Sequence, residues 1–240
     1  MKMSIKSMTP VEREGSKIKA MVQVEFNGVL NVNARVMEGE SGLFVSFPQK
    51  KVKETQNQEQ AQTQGEETKQ EETKTKYRNY VVLDKESYKE LNSMVNATYV
   101  DIKDKSKEDI SKYFEAKNEK TAPSLDSIDV KMYSIEEPKT KVVGIGSLTL
   151  KDEKSSLRME SLKLYEAKDG NLKVACPQYY KKDEQGNKTY ENHCFISKDA
   201  RETIQTKAIE KYEEHIKTKE EEAKVQEDIK EEEEDEEEME

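Results

Sequence analysis

Gly42-Leu43-Phe44-Val45-Ser46-Phe47-Pro48-Gln49-Lys50-Lys51 decides how this chain folds, because it is written a second time. Asn171-Leu172-Lys173-Val174-Ala175-Cys176-Pro177-Gln178-Tyr179-Tyr180-Lys181-Lys182 repeats its pattern, with the two prolines 129 residues apart. Each stretch alternates apolar residues, passes a Pro-Gln step and closes on a lysine pair. Alternation of period two reads as a half-buried strand, and proline stops it because it cannot donate to a ladder. Self-similarity along a chain implies copies of one structural unit, so the unit is read first.

Working outward from the first stretch, residues 19–26 alternate with Ala20, Val22, Val24 and Phe26 on one face and Lys19, Gln23 and Glu25 on the other. Asn27-Gly28 is a strong hairpin signal, and Val29 to Met37 is the return strand. Met3 to Met8 precedes them as a short strand, and Tyr77 to Leu83 follows as one more. Asp84 is placed to cap a helix with Tyr88, Leu91, Val95 and Tyr99 at helical spacing. The second stretch sits in the same order. Ile128, Val130 and Met132 form a strand; Gly144, Gly146, Leu148 and Leu150 take the places of Ala20, Val22, Val24 and Phe26; Ser161 to Tyr165 parallels Asn33 to Met37. Tyr190 to Ile196 returns, and Ser197 caps a helix striped by Ile204, Ala208, Ile209, Tyr212 and Ile216. The expected fold class is α+β: two tandem small units, each a mostly antiparallel sheet of four to five strands followed by a helix.

Composition sets the rest. With 38% charged and 32% hydrophobic residues, no tryptophan and a mean hydropathy of -1.06, the chain is too polar for one large core. The expected division is a first unit over residues 1–100 carrying a disordered Gln/Glu/Thr/Lys insert at 52–76, a charged linker at 101–124 with a short helix near Ile110 to Phe114, a second unit at 125–213, and an acidic tail at 214–240. From Glu213 onward the local charge is -12, which leaves +2 on residues 1–212. Like charges repel, so the last acidic run is expected to fray. It reads either as a solubilising segment or as a competitor for the basic surface. No secretory signal and no apolar run long enough to span a membrane is visible, and a cytoplasmic location is the expectation.

The chemistry-bearing residues are few. Lys50, Lys51, Lys181 and Lys182 stand at the mouths of two hairpins, and Tyr179 and Tyr180 adjoin the second pair. Two readings fit: cations and aromatic faces that hold phosphates and unpaired bases, or lysines that keep a sheet edge from pairing with another chain. Arg201 stands at a helix start, where it reads as a phosphate contact or as a surface cation. Cys176 and Cys194 are symmetric about residue 185, and they read as buried, reduced thiols. His193 reads as a strand residue beside a helix start. Gly144-Ile145-Gly146 lacks the third glycine of a dinucleotide loop, and small residues packing beneath a helix explain it better. No nucleophile–base arrangement and no tetrahedral zinc set is legible, so neither an enzyme nor a metal or other cofactor is expected.

These residues resemble the stage V sporulation protein G (SpoVG) family of small bacterial septation regulators. The resemblance is carried by Ile18-Lys19-Ala20, Ala34-Arg35-Val36, Gly42 to Val45 with Phe47-Pro48 and Lys50-Lys51. In the second half it is carried by Ser147 to Leu150, Lys173-Val174-Ala175 with Pro177, His193, Arg201, Ile204, Gln205 and Tyr212. It implies a small sheet with a helix, a homodimer built through the sheets, and DNA or RNA as partner. Together with the repeat, it implies a pseudo-dimer within one chain, with further self-association as an added expectation. The role implied is a non-enzymatic regulator of septation and sporulation that binds phosphates through Lys50, Lys51, Lys181, Lys182 and Arg201, with Tyr179 and Tyr180 beside them. The alternative is a protein-interaction module at the division septum that binds no nucleic acid. Tyr88 stands where the second half has Arg201, so the two halves are expected to bind unequally.

Overall fold

A computed structural model describes residues 1–53, 75–117, 120–136, 138, 140–182 and 185–237. Seven strands and a helix come first: β1 Met3–Pro10, β2 Ile18–Phe26, β3 Leu30–Gly39, β4 Gly42–Ser46, β5 Gln49–Lys53, β6 Thr75–Asn79, β7 Val81–Leu83 and α1 Lys85–Ile102. After α2 (Lys107–Lys117) the order recurs as β8 Ile128–Ser134, β9 Val142–Lys151, β10 Ser156–Glu166, β11 Leu172–Ala175, β12 Gln178–Lys182, β13 Lys188–Asn192, β14 Cys194–Ile196 and α3 Lys198–Glu237. The protein is α+β, with antiparallel sheets and three α-helices among the described residues.

The β2–β3 hairpin turns where Asn27-Gly28 stands, both residues at positive φ (51° and 66°), with the Val29 N–H donating to Phe26 O at 2.9 Å. Gly28 is required twice over. Its φ favours glycine, and a Cβ there would lie 2.7 Å from the Thr121 carbonyl, where the connection between the two halves crosses. Ala20, Val22, Val24 and Phe26 are buried as the alternation requires, and Leu30, Val32, Ala34 and Val36 face them from β3. Glu25, on the opposite face, is buried too; Lys6 Nζ and Ser4 Oγ hold its carboxylate at 3.4 and 3.3 Å.

Two five-stranded sheets result, and each is completed by the other half of the chain. The first has the order β1-β2-β3; the long β3 pairs β4 through Arg35 to Gly39 and β14 through Leu30 to Val32. The second has the order β8-β9-β10; β10 pairs β11 through Lys163 to Glu166 and β7 through Leu157 to Met159. Each helix then returns to the sheet of its own half: α1 packs on β1 and β4, and α3 on β8 and β11. Buried side chains of both sheets and all three helices form one contiguous core. Each fully buried leucine in it, such as Leu148, Leu157 or Leu162, contributes about 1.5–3 kcal/mol.

Several expectations change here. The stretches Tyr77 to Leu83 and Tyr190 to Ile196, read as single strands, each break in two. At Tyr80 and His193 the backbone leaves a two-stranded hairpin and enters the opposite sheet. The insert expected at 52–76 is shorter, because Val52 and Lys53 extend β5 and Thr75 and Lys76 extend β6; residues 54–74 lie outside the described residues. The connection is also shorter than read, since α1 continues to a fully buried Ile102 and α2 packs on β1 with Phe114 buried. The acidic run does not fray before Glu237. Nothing from Lys198 onward is glycine or proline, and glutamate is a good helix former, so propensity sustains α3 against like-charge repulsion.

The helix starts differ as well. Asp84 caps α1: its Oδ1 accepts from the N–H groups of Glu86 (3.1 Å) and Ser87 (2.9 Å), and its Oδ2 from Ser156 N–H (3.0 Å). Burial alone would raise this carboxyl, but the N–H groups of Ser87, Ser156 and Glu86 outweigh it and hold it at about 2, below its ordinary 3.8. A depressed folded-state pKa stabilises the fold above the ordinary value and is lost as pH falls through the lower one. Asp84→Ala is therefore expected to cost about 1 kcal/mol in urea unfolding at neutral pH, with the gap from the parent closing between about pH 4 and pH 2. A pH-independent gap would contradict this. Ser197, expected to cap α3, has a buried Oγ that finds no hydrogen-bond partner among the described residues.

Candidate functional site

Two hairpin arms stand apart from the sheets, β5–β6 and β12–β13, each a two-stranded ribbon that pairs only with itself among the described residues. Their roots are built alike. Gln49 Nε2 donates to Asn79 Oδ1 at 2.9 Å, and Gln178 Nε2 to Asn192 Oδ1 at 2.7 Å. Below them, Tyr80 N–H donates to Pro48 O (2.8 Å) and His193 N–H to Pro177 O (2.9 Å). The carbonyls of the same two residues reach across the molecule: Tyr80 O accepts from Glu160 N–H (2.7 Å) and His193 O from Asn33 N–H (2.9 Å). The Pro-Gln steps are thus where each strand gives up its sheet and becomes an arm.

Between the roots the rings cluster. Tyr80 and His193 have centroids 5.1 Å apart with their planes tilted by 33°, and Tyr179 stacks on His193 with centroids 4.6 Å apart. Lys50 closes the column, with Nζ 5.8 Å from the Tyr80 ring centre and donating to Ser161 Oγ at 3.0 Å. Ser161 is a bulge residue of β10 with φ 63°. Partial burial and then the Arg35 guanidinium lower the His193 pKa, which favours a neutral imidazole at neutral pH. His193 is thus a ring packed at the junction of the two sheets rather than only a strand residue.

The expected site residues divide between the two faces of each arm. Lys50 and Tyr179 belong to the ring column at the roots, and the Tyr179 hydroxyl is engaged by Glu191. Lys51 and Tyr180 face the other way. Lys51 is paired with Tyr77, its Nζ 5.9 Å from that ring; Tyr180 is paired with Tyr190, and Lys188 Nζ lies 5.0 Å from the Tyr180 ring. Lys181 and Lys182 occupy the next two register positions of β12, opposite Thr189 and Lys188. Arg201 is exposed in the first turn of α3, outside β12–β13, and its charge opposes the rise of the Cys176 pKa.

Sequence reasoning missed Tyr77, Tyr190 and Lys188. The signal was present: the symmetry about residue 185 that relates Cys176 to Cys194 also relates Tyr180 to Tyr190 and Lys182 to Lys188. For the cysteines the symmetry ends at the roots, where β11 and β14 enter different sheets. Both thiols are free. Burial raises Cys176 to about 11, against smaller opposing effects of the Ile196 N–H and Arg201, and burial raises Cys194 further. Gly146, read as lying beneath the helix, instead allows a backbone approach: a Cβ there would meet Lys131 O at 1.8 Å. Gly144 does face the helix: a Cβ there would lie 3.3 Å from the Tyr212 ring.

No group of three or more His, Cys, Asp or Glu placed to hold a metal occurs among the described residues. No helix among them is long and apolar enough to cross a membrane. The candidate site is a pair of β-ribbon arms on an α+β body, bearing ammonium groups and tyrosine rings. A model of the SpoVG family matches residues 1–100, the stretch that holds the first four strands, the first arm, β7 and most of α1. No curated protein and no solved structure matches the chain.

Proposed function

We propose that this protein is a non-enzymatic regulator of the septation and sporulation type that binds DNA or RNA through its two arms. In this reading residues 1–100 and 125–213 are tandem copies of one SpoVG-like unit, joined by the connection at 101–124 and followed by the acidic segment 214–240. The two copies form a pseudo-dimer within the chain. The recurring element order, the reciprocal placement of β7 and β14, and the matched bonds at Tyr80 and His193 support it. The SpoVG match over residues 1–100 supports the regulatory role.

One observation carries the binding assignment. Both arms start from the same Gln–Asn bond and carry lysine and tyrosine further along the ribbon, Lys51–Tyr77 two register positions on in one, and Tyr180–Tyr190 and Lys182–Lys188 two and four positions on in the other. Two-stranded ribbons fit nucleic-acid grooves, and ammonium groups neutralise phosphates with release of counterions. Lys51, Lys181 and Lys182 are the principal phosphate contacts. Arg201 adds a fourth in the first turn of α3, Tyr179 and Tyr180 supply ring faces, and Lys50 fixes the first arm to Ser161.

With about four phosphates neutralised, the log–log dependence of affinity on salt is expected to have a slope of about -3 to -4. Fluorescence anisotropy on mixed-sequence DNA and RNA probes measures it. Lys51→Glu, Lys181→Glu and Lys182→Glu combined should abolish binding while leaving the thermal melt unchanged. Binding that ignores both salt and these charges would overturn the proposal.

A further inference from the structure

We infer that the second arm is a stacking platform for unpaired bases, so that the preferred ligand of this protein is single-stranded nucleic acid. The inference rests on the nucleic-acid reading above and assigns its ligand class and the residues that select it. Tyr180 and Tyr190 are directly opposite one another across β12–β13, which puts both rings on one face of the ribbon. They are 56% and 65% exposed. Burying large rings is a main source of folding energy, and a cross-strand aromatic pair left in water forgoes it. The cation beside them is Lys188, 5.0 Å from the Tyr180 ring centre, and two register positions further on Lys182 pairs with Lys188. Ring, ring, then ammonium along one face matches the repeat of a single strand, in which bases splay to one side of a charged backbone.

A duplex offers this face little. Its bases already stack on one another, so only their edges and the phosphates can be reached. An unpaired base has both faces available and stacks on an aromatic ring whatever its identity. The first arm has half of this equipment. Lys51 stands at the position of Tyr180, and Tyr77, 56% exposed, is the one aromatic on that face among the described residues. The two arms therefore divide the work: the second holds bases, and the first holds phosphate with a single ring beside it.

The experiment uses the full-length protein with labelled oligo(dT) and oligo(rU) of about 15 nucleotides and a mixed duplex of equal length, read by fluorescence anisotropy at low salt. The single strands are expected to bind about tenfold or more tighter than the duplex. Tyr180→Leu with Tyr190→Leu should lose about tenfold or more on both single strands and change duplex binding less than threefold. Tyr180→Phe with Tyr190→Phe should keep the affinity, because the ring faces remain. Tyr77→Leu should lose less than the second-arm pair, and the dT to rU ratio shows whether the sugar matters. Salt-sensitive binding with no single-strand preference, or with leucine variants that bind like the parent, overturns the platform and leaves the wider proposal standing. Loss of folding in the leucine variants shows in the melt, and the phenylalanine pair together with Tyr77→Leu then decides the matter. A parent protein that binds none of the three probes overturns both.

Discussion

Made as separate chains, residues 1–117 and 120–240 are each expected to fail to form a folded monomer, and mixing them is expected to restore the fold. The reason lies in the strand pairing. Without the second half, β3 loses β14 along Leu30 to Val32; without the first, β10 loses β7 along Leu157 to Met159. Leu30, Val32, Leu157 and Met159 are fully buried in the intact chain, as are Val81 and Cys194 on the donated strands. Exposing several such side chains at about 1.5–3 kcal/mol each is comparable to the whole stability of a typical small domain, about 5–15 kcal/mol. Circular dichroism and size exclusion of each half, and then of an equimolar mixture, test this. A cooperatively melting, monomeric half would contradict it.

Gly146→Ala is expected to be the most damaging conservative change in the chain, costing about 3 kcal/mol or more. The added Cβ would sit 1.8 Å from Lys131 O and 2.8 Å from Lys131 C, and these are backbone atoms of a paired strand. Relief requires β8 to move away from β9, which breaks ladder bonds and lifts Val130 and Met132 off the core. Gly144→Ala is the control. Its nearest neighbours are Tyr133 O at 3.1 Å and two side-chain atoms at 3.2 and 3.3 Å, which can shift by tenths of an ångström. A drop of about 6–12 °C in Tm for Gly146→Ala, against a few degrees for Gly144→Ala, is the expected scale for a chain of this length. Equal effects would show that the close approach is not what requires glycine.

What was legible in the sequence follows from how local each signal is. Period-two alternation placed β2, β3, β8 and β9, because each has one face in the core and an adjacent partner. Asn27-Gly28 announced its turn, and Asp84 its cap, through chemistry confined to a few residues. The destinations of β7 and β14 were not legible. A three-residue strand looks the same whichever sheet receives it, and nothing local to Tyr80 says that its carbonyl will meet Glu160. The site was half legible for the same reason. The lysine pairs and Tyr179-Tyr180 stand out within a short window, whereas Tyr77 and Tyr190 acquire meaning only from the register that sets them opposite Lys51 and Tyr180.

The length of α3 changes what its acidic end can do. At about 1.5 Å per residue, 40 residues make a rod about 60 Å long. It is clamped to the second sheet by Lys207 on Ile128 O, by His215 on Ser134 and by Lys219 on Glu136. A floppy tether sweeps a volume and meets its own body often; a rod held at one end holds its far charges in one direction. Counterions extinguish those charges within about 8 Å at physiological ionic strength. An acidic segment carried on such a helix is expected to meet other polyanions along one line of approach rather than from every side.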